Sequence, residues 1–280
     1  MIYNIFSPSK ELDDIVKQYI VITSLKGIET LLFLPNGCNF MLFNRGFDGY
    51  TEIYNEDKKF PIPKNYSISI KNNKIKKFVL SSKDSASDIK FPLILAELTP
   101  IGFYKLFNTN ASVLKEGYLE IEISVIENYF KELYTHSSIN DEIEYLNSAL
   151  DRLQSAQGNK HMCIQDVIDM IIHKYHFEVS VKTLLEEFNC SRSKLEREFK
   201  KIIGLTPKNF IYISKFCNTV LSYIEDDCGF KELEYLYSDY SHMNSVFKKF
   251  FGANPSVVFD DVTNQKIQIY QMQRNELKSS

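Results

Sequence analysis

The C-terminal half of this 280-residue chain carries one pattern twice. At an offset of 48, SRSKLEREFKKIIGLTPKNFI from Ser191 lies over DYSHMNSVFKKFFGANPSVVF from Asp239. Ser193/Ser241, Phe199/Phe247, Lys200/Lys248, Lys201/Lys249, Gly204/Gly252 and Pro207/Pro255 are identical pairs. The same register sets Leu185 over Leu233 and Phe188 over Leu236, so a helix ahead of each copy belongs to the repeat. The unit reads as helix, short turn, helix, then Gly-x-x-Pro. Ser191 or Asp239 is positioned to cap the second helix, and Leu195/Met243 and Phe199/Phe247 turn inward at i, i+4. Gly204 or Gly252 stops that helix before a segment begun by proline. The consequence is a helix-turn-helix made twice.

Between the copies, Pro207 to about Glu225 reads as one helix with Phe210, Ile213, Cys217, Val220, Leu221 and Ile224 apolar. Its length of about 28 Å is expected to hold the two second helices roughly one DNA turn, about 34 Å, apart. Charge supports this locally, since Arg192, Lys194, Arg197, Lys200 and Lys201 face only Glu196 and Glu198 between Ser191 and Lys201. Over 160–260, however, 13 Lys+Arg stand against 14 Asp+Glu. The whole chain carries 33 Lys+Arg and 36 Asp+Glu, net -3, with a pI near 6.0. A uniformly basic coat is excluded, a local basic patch is not, and the salt-dependent part of any DNA binding is expected to be modest.

This half resembles the AraC/XylS family of bacterial transcription regulators over about 95 residues. The resemblance rests on Leu184-Leu185, on Cys190-Ser191-Arg192-Ser193-x-Leu195-x-Arg197-x-Phe199-Lys200-Lys201-x-x-Gly204-x-Thr206-Pro207, and on Lys215-Phe216 in the joining helix. It continues through Asp239-Tyr240-Ser241-His242, Phe247-Lys248-Lys249-Phe250, Gly252 and Pro255. It implies that each second helix enters a major groove. By position, Ser193, Glu196 and Arg197 in the first unit and Ser241 and Ser245 in the second would reach base edges. Ser191, Arg192, Lys194, Lys200, Lys201, Tyr240, His242, Asn244 and Lys248 would flank them on phosphate or sugar. The family usually has a glycine and an aromatic at the second turn, where this chain has Leu236-Tyr237, and a small residue where Lys231-Glu232-Leu233 stands. An Arg is common at the place of Ser245. The second unit is therefore expected to read fewer bases, or only to grip the backbone, and Arg197 carries the main bidentate option toward guanine O6/N7.

The first half follows a different period. Tyr66–Ile70 and Ile75–Leu80 alternate around Lys71-Asn72-Asn73-Lys74, which reads as a β-hairpin. Thr30–Leu34, Asn39–Asn44 and Leu93–Leu98 are further strands, and many short strands with turn signals suggest a sandwich or small barrel. Leu34-Pro35-Asn36-Gly37-Cys38 through Asn44, and Leu98 to Phe107, resemble, more loosely, the cupin-like N-terminal domains of regulators in the same family. Ile139, Ile143, Leu146, Leu150 and Leu153 step by 4, 3, 4 and 3, with Asn140 as expected N-cap. The stripe either pairs two chains as a dimer seam or packs on its own barrel. Gln154–Asn159 reads as a polar linker. Phe33, Phe40, Phe43, Phe47, Tyr50, Tyr54, Phe60, Tyr66, Phe78 and Phe91 either line an apolar pocket or form core. Eight lysines between Lys58 and Lys83 either attract an anion or form a solvated edge.

Other chemistry finds little support. All five histidines lie after residue 130, which argues against a metal-binding cupin, and His173-x2-His176 has no further ligand nearby in sequence. The five cysteines are never spaced as C-x2-C, so reduced thiols are expected. No G-x-S-x-G, P-loop, G-x-G-x-x-G or H-E-x-x-H occurs, so no enzyme is expected. No cofactor and no metal are expected either. With neither a membrane-length apolar run nor a signal-like start, the chain is read as cytoplasmic and without a membrane partner.

The expected fold is α+β with two domains: a β-rich cupin-like barrel plus helices, then an all-α domain of two helix-turn-helix units on a long linker helix. The division is 1–135 for effector binding, 136–159 for helix and linker, 160–262 for DNA and 263–280 as tail. The expected partner is double-stranded DNA, with a small apolar or anionic effector, a homodimer partner, and RNA polymerase if the protein activates. The rival reading is a ligand-binding or protein-interaction regulator whose DNA binding is weakened and mostly to backbone.

Overall fold

Side-chain alternation along three central strands sorts the N-terminal region into two faces. In the computed structural model these are β2 (Val16–Ser24), β4 (Phe40–Phe43) and β9 (Leu93–Leu98). The structure describes residues 2–24, 30–44, 48–53, 56–63, 66–69, 75–81, 93–114, 118–120, 128–157, 164–225, 237 and 239–263. Ile20, Ile22, Phe40, Leu42, Leu93 and Leu95 point to one core, and Tyr19, Val21, Met41, Phe43, Ile94 and Ala96 to another. A strand buried on both faces needs covering layers on both sides, and helices contribute to each.

Two antiparallel sheets result. The larger runs β1 (Ile2–Phe6), β2, β9, β4, β7 (Tyr66–Ser69), β10 (Tyr118–Glu120). The smaller runs β3 (Thr30–Phe33), β8 (Lys76–Ser81), β5 (Asp48–Ile53), β6 (Lys59–Pro61). No ladder joins them among the described residues, so the expected closed barrel gives way to two separate sheets. Closure is one way to bury sheet faces and edges; here helices cover the larger sheet instead. The expected hairpin of Tyr66–Ile70 with Ile75–Leu80 is also corrected. β7 pairs with β4 and β10, while β8 pairs with β3 and β5. Both segments are strands, but in different sheets, and the Asn-Asn turn lies outside the described residues.

One covering layer is α1 (Gly102–Phe107) and α2 (Ile139–Gln157). Ile143, Leu146, Leu150 and Leu153 are buried against Tyr19, Met41, Phe43 and Ile94, with Ile139 packed at the margin. The apolar stripe is thus consumed within the chain, at about 1.5–3 kcal/mol per fully buried leucine, and is not available as a dimer seam. Asn147 ties the same helix to the sheet, its Oδ1 accepting from the Tyr19 hydroxyl at 2.8 Å and the Ser9 amide at 3.1 Å. The cap is Ser138, not Asn140, because Ser138 Oγ accepts from the Asp141 amide at 3.2 Å. The helix continues through Gln157, so the first part of the expected polar linker is helical.

The C-terminal helices are α3 (Ile164–Asp169), continued by a π turn over Met170–Lys174, α4 (Val181–Glu187), α5 (Arg192–Ile202), α6 (Pro207–Glu225), α7 (Tyr240–Phe251) and α8 (Pro255–Thr263). Their buried residues join the second face of the larger sheet in one continuous cluster, so the two regions share a core. No helix among the described residues is long and apolar enough to cross a membrane.

Candidate nucleic-acid interface

The first unit is built by local capping. Ser180 accepts from the Thr183 amide at 3.1 Å to open α4, and Ser191 accepts from the Lys194 amide at 3.3 Å to open α5. The turn between them closes with Asn189 at φ 43, a conformation asparagine tolerates better than most residues. Leu195, Phe199 and Ile202 are buried. Arg192, Ser193, Lys194, Arg197 and Lys200 are exposed, Glu196 is half-buried, and the helix ends at Gly204 with φ 80. Arg197 meets Glu198 through Nε at 3.3 Å on the surface, a pair that costs little to exchange for another partner.

The second unit repeats this construction with different surface chemistry. Asp239 Oδ1 accepts from the His242 amide at 2.7 Å, and Gly252 at φ 67 closes the helix. Met243 and Phe247 are buried, as the repeat predicts. Tyr240, Ser241, His242 and Ser245 are exposed and Asn244 is half-buried. Ser245 Oγ donates back to the Ser241 carbonyl at 2.9 Å, and the His242 ring stands edge-on to Tyr237 at 5.5 Å. The amide oxygen of Asn244 is buried without a hydrogen-bond partner. Lys248 is exposed, whereas Lys249 lies over the Tyr212 ring at 4.4 Å. The segment expected to form the first helix and turn of this unit, with Lys231-Glu232-Leu233 and Leu236, lies outside the described residues.

Both second helices hang on α6 through aromatic contacts. Phe210 meets Phe199 of α5 edge-on at 5.9 Å, and Phe216 stacks on Phe250 of α7 at 4.2 Å. Those anchors lie about 9 Å apart along the α6 axis. The spacing of the two helices is therefore set by how each leaves α6, and not by its full length as the sequence suggests. Burial pushes the Tyr237 hydroxyl up to about 12, and it donates to Thr219 Oγ1 at 3.3 Å, which fastens the start of the second unit to α6.

Several sequence candidates take other roles. Lys201 lies over the ring of Tyr104 on α1 at 5.5 Å, which places it against the N-terminal region. Phe33, Phe40 and Phe43 are buried core, and Tyr50 is half-buried. His173 and His176 are exposed, and the described residues contain no cluster of three or more metal-ligand side chains. Cys38 and Cys217 are buried and form no disulfide.

Sequence reasoning missed a buried polar group at the junction. Glu97 is fully buried and accepts from Gln18 Nε2 at 2.6 Å and Asn36 Nδ2 at 2.7 Å. Lys17 Nζ lies 3.8 Å away. Burial pulls the Lys17 ammonium down, while the Glu97 carboxylate and, after it, the Cys38 and Cys217 sulfurs together outweigh this, so its pKa lies above the usual lysine value. Asn36 Oδ1 in turn accepts from the Cys38 amide at 3.0 Å, fixing the turn that touches α6. The one sequence signal that could have found it is the apolar run Leu93–Leu98, in which Glu97 is the single polar residue.

Residues 184–261 match the family model described as a helix-turn-helix domain. No curated protein matches the chain. Among solved structures, an apo variant of ToxT from Vibrio cholerae is 13% identical, covering 92% of this chain and 96% of that one, with a TM-score of 0.45. A second ToxT crystal form is 14% identical over 92% and 97%, with a TM-score of 0.42. The AraC-like transcriptional activator CuxR is 12% identical over 73% and 74%, with a TM-score of 0.27. The doubled, capped unit and the family match define the C-terminal region as a helix-turn-helix domain. A helix-turn-helix domain is a DNA-binding fold, and this one spans residues 184–261.

Proposed function

We propose that the protein is a sequence-specific regulator that inserts α5 and α7 into successive major grooves and answers to an effector held by its N-terminal region. The observation that carries this reading is the exposure of Ser193, Arg197, Ser241 and Ser245 on two capped helices fastened to one linker helix. Arg197 is assigned to a guanine, which offers two acceptors to its fork, while Ser193 and Glu196 take neighbouring bases. Ser191, Arg192, Lys194 and Lys200 take phosphates on the first half-site; Tyr240, His242, Asn244 and Lys248 flank the second.

The division at about residue 160 separates sensing from reading, but the shared core couples them. An effector that repacks the sheet face against α6 would shift the recognition helices with it. A small apolar or anionic molecule fits that role. A homodimer would have to use a surface other than the buried stripe of α2. RNA polymerase joins the list of partners if the protein activates.

The first two turns of α7 contain no Lys or Arg, and Ser245 is already bonded to its own helix. These facts favour a second reading in which α7 grips the duplex without selecting bases. Selection of duplexes from a random pool by the full chain, followed by titration at two salt concentrations, separates the two. A bipartite motif with half-sites about one turn apart supports the first. A single half-site supports the second, and enrichment of nothing overturns both.

A further inference from the structure

The flank of α5 is not bare. The short turn Ala111–Val113 of the N-terminal region packs along it, and Lys201 reaches from the end of the same helix to Tyr104. The face meant for bases stays open beside them. A major groove is about 12 Å wide and a helix with its side chains about 10–12 Å across, so α5 fills a groove alone. A loop held against its flank must meet the phosphate wall instead. Because α5 is only about 16 Å long, that wall is the one bordering the first half-site.

The composition of the loop fits this position. Thr99–Lys115 contains no Asp or Glu, in a chain with 36 of them among 280 residues. Asn108, Thr109, Asn110, Ser112 and Val113 are exposed. The loop is held in shape by its own bonds: Thr109 Oγ1 donates to the Phe107 carbonyl at 2.9 Å, and the Ser112 amide donates to Asn110 Oδ1 at 3.0 Å. The Ser112 hydroxyl and the Asn110 amide nitrogen, on two exposed residues, take no part in these bonds. Neutral hydroxyls and amides are regular phosphate partners, and they position a protein without reading sequence.

We propose that the 108–113 loop of the N-terminal region is part of the DNA-binding surface, contacting backbone phosphates beside the first half-site through Ser112 and Asn110. This rests on the DNA reading above. It makes the N-terminal region a direct determinant of DNA affinity, beyond its packing on α6.

The test uses the full chain, its selected duplex, and the variants Ser112→Lys and Ser112→Glu. Ser112→Lys is expected to tighten binding several-fold and to steepen the dependence of log K on log salt by about one unit, the signature of one added phosphate contact. Ser112→Glu is expected to weaken binding about tenfold. Replacing the phosphates that border the first half-site with neutral methylphosphonates should erase the gain of the lysine variant. If Ser112→Lys leaves affinity and slope unchanged, the loop does not touch DNA. Tighter binding by both variants would mean that the loop blocks α5 and that bulk releases it, which also overturns the proposal. Wild-type protein that selects no duplex overturns the underlying DNA reading, and so fails visibly apart from the loop.

Discussion

Gly37 sits under the ring of Phe210 with no room for a side chain: a Cβ at Gly37 would lie 2.9 Å from two ring carbons. Its φ of 78 is also one that only glycine adopts without strain. The contact joins a turn of the N-terminal region to the first turn of the linker helix, and Phe210 leads on to Phe199 of the first recognition helix. Replacing Gly37 with alanine should therefore cost about 1–3 kcal/mol. Denaturant unfolding of the full chain measures this, and a loss under about 0.5 kcal/mol would mean that the two regions do not meet at this point.

Glu97 offers a second way to disturb the same turn. Glu97→Ala removes the acceptor for Gln18 and Asn36 and strands the Lys17 ammonium, a change expected to cost about 3–5 kcal/mol. Glu97→Gln keeps an acceptor in place and should cost clearly less. Comparing the two variants by urea unfolding checks the argument, since equal losses would show that the shape of the site matters and its bonding does not.

The leucines of α2 separate folding from association. Leu146 and Leu150 are fully buried in their own domain, so Leu146→Ala and Leu150→Ala should each cost about 2–5 kcal/mol. The loss should not depend on protein concentration. A melting temperature that falls only on dilution would instead place these residues in a contact between chains.

How much of this was legible depends on how local the cause is. Caps at Ser191 and Asp239, and glycines at 204 and 252, act within one turn of the chain, so the second helix of each unit can be read from sequence and is found as read. Partner choice is not local. Period two marks Tyr66–Ser69 and Lys76–Ser81 as strands, but cannot say that each pairs in a different sheet. The stripe from Ile139 to Leu153 marks an apolar helix face without saying what covers it. Gly37 looks like an ordinary turn glycine until Phe210 is brought against it, and the burial of Glu97 depends on Asn36 and Gln18 arriving from other elements. Of the candidate interface, the exposed cations of α5 were legible; the diversion of Lys201 to Tyr104 and the presence of the 108–113 loop beside α5 were not.

Alkaline pH should loosen the attachment of the second unit. The Tyr237 hydroxyl, near 10 in an unfolded chain, is pushed up to about 12 by burial. The unfolded chain therefore ionises first: this stabilisation is complete below about pH 10 and is lost as pH rises toward about 12. Tyr237→Phe should remove that limb while costing about 1 kcal/mol at neutral pH through the bond to Thr219. Unfolding of both proteins near pH 8 and pH 11.5 gives the comparison, and parallel losses in the two would sink the assignment.

Arg197 and Lys200 are both exposed on α5, yet they should fail in different ways. An arginine on guanine O6/N7 contributes only where that guanine is present, so Arg197→Ala should cost about 1–3 kcal/mol on the selected duplex and little on one altered at that base. A lysine on phosphate contributes wherever there is backbone. Lys200→Ala should weaken binding on both duplexes by a similar factor and lower the salt slope by about one unit. Since neither side chain is buried, stability should stay within about 0.5 kcal/mol of wild type in both variants. Titrating the two variants against the two duplexes at two salt concentrations gives the answer directly. If Arg197→Ala weakens both duplexes alike, its guanidinium is only another phosphate contact, and base reading in the first unit must come from Ser193 and Glu196.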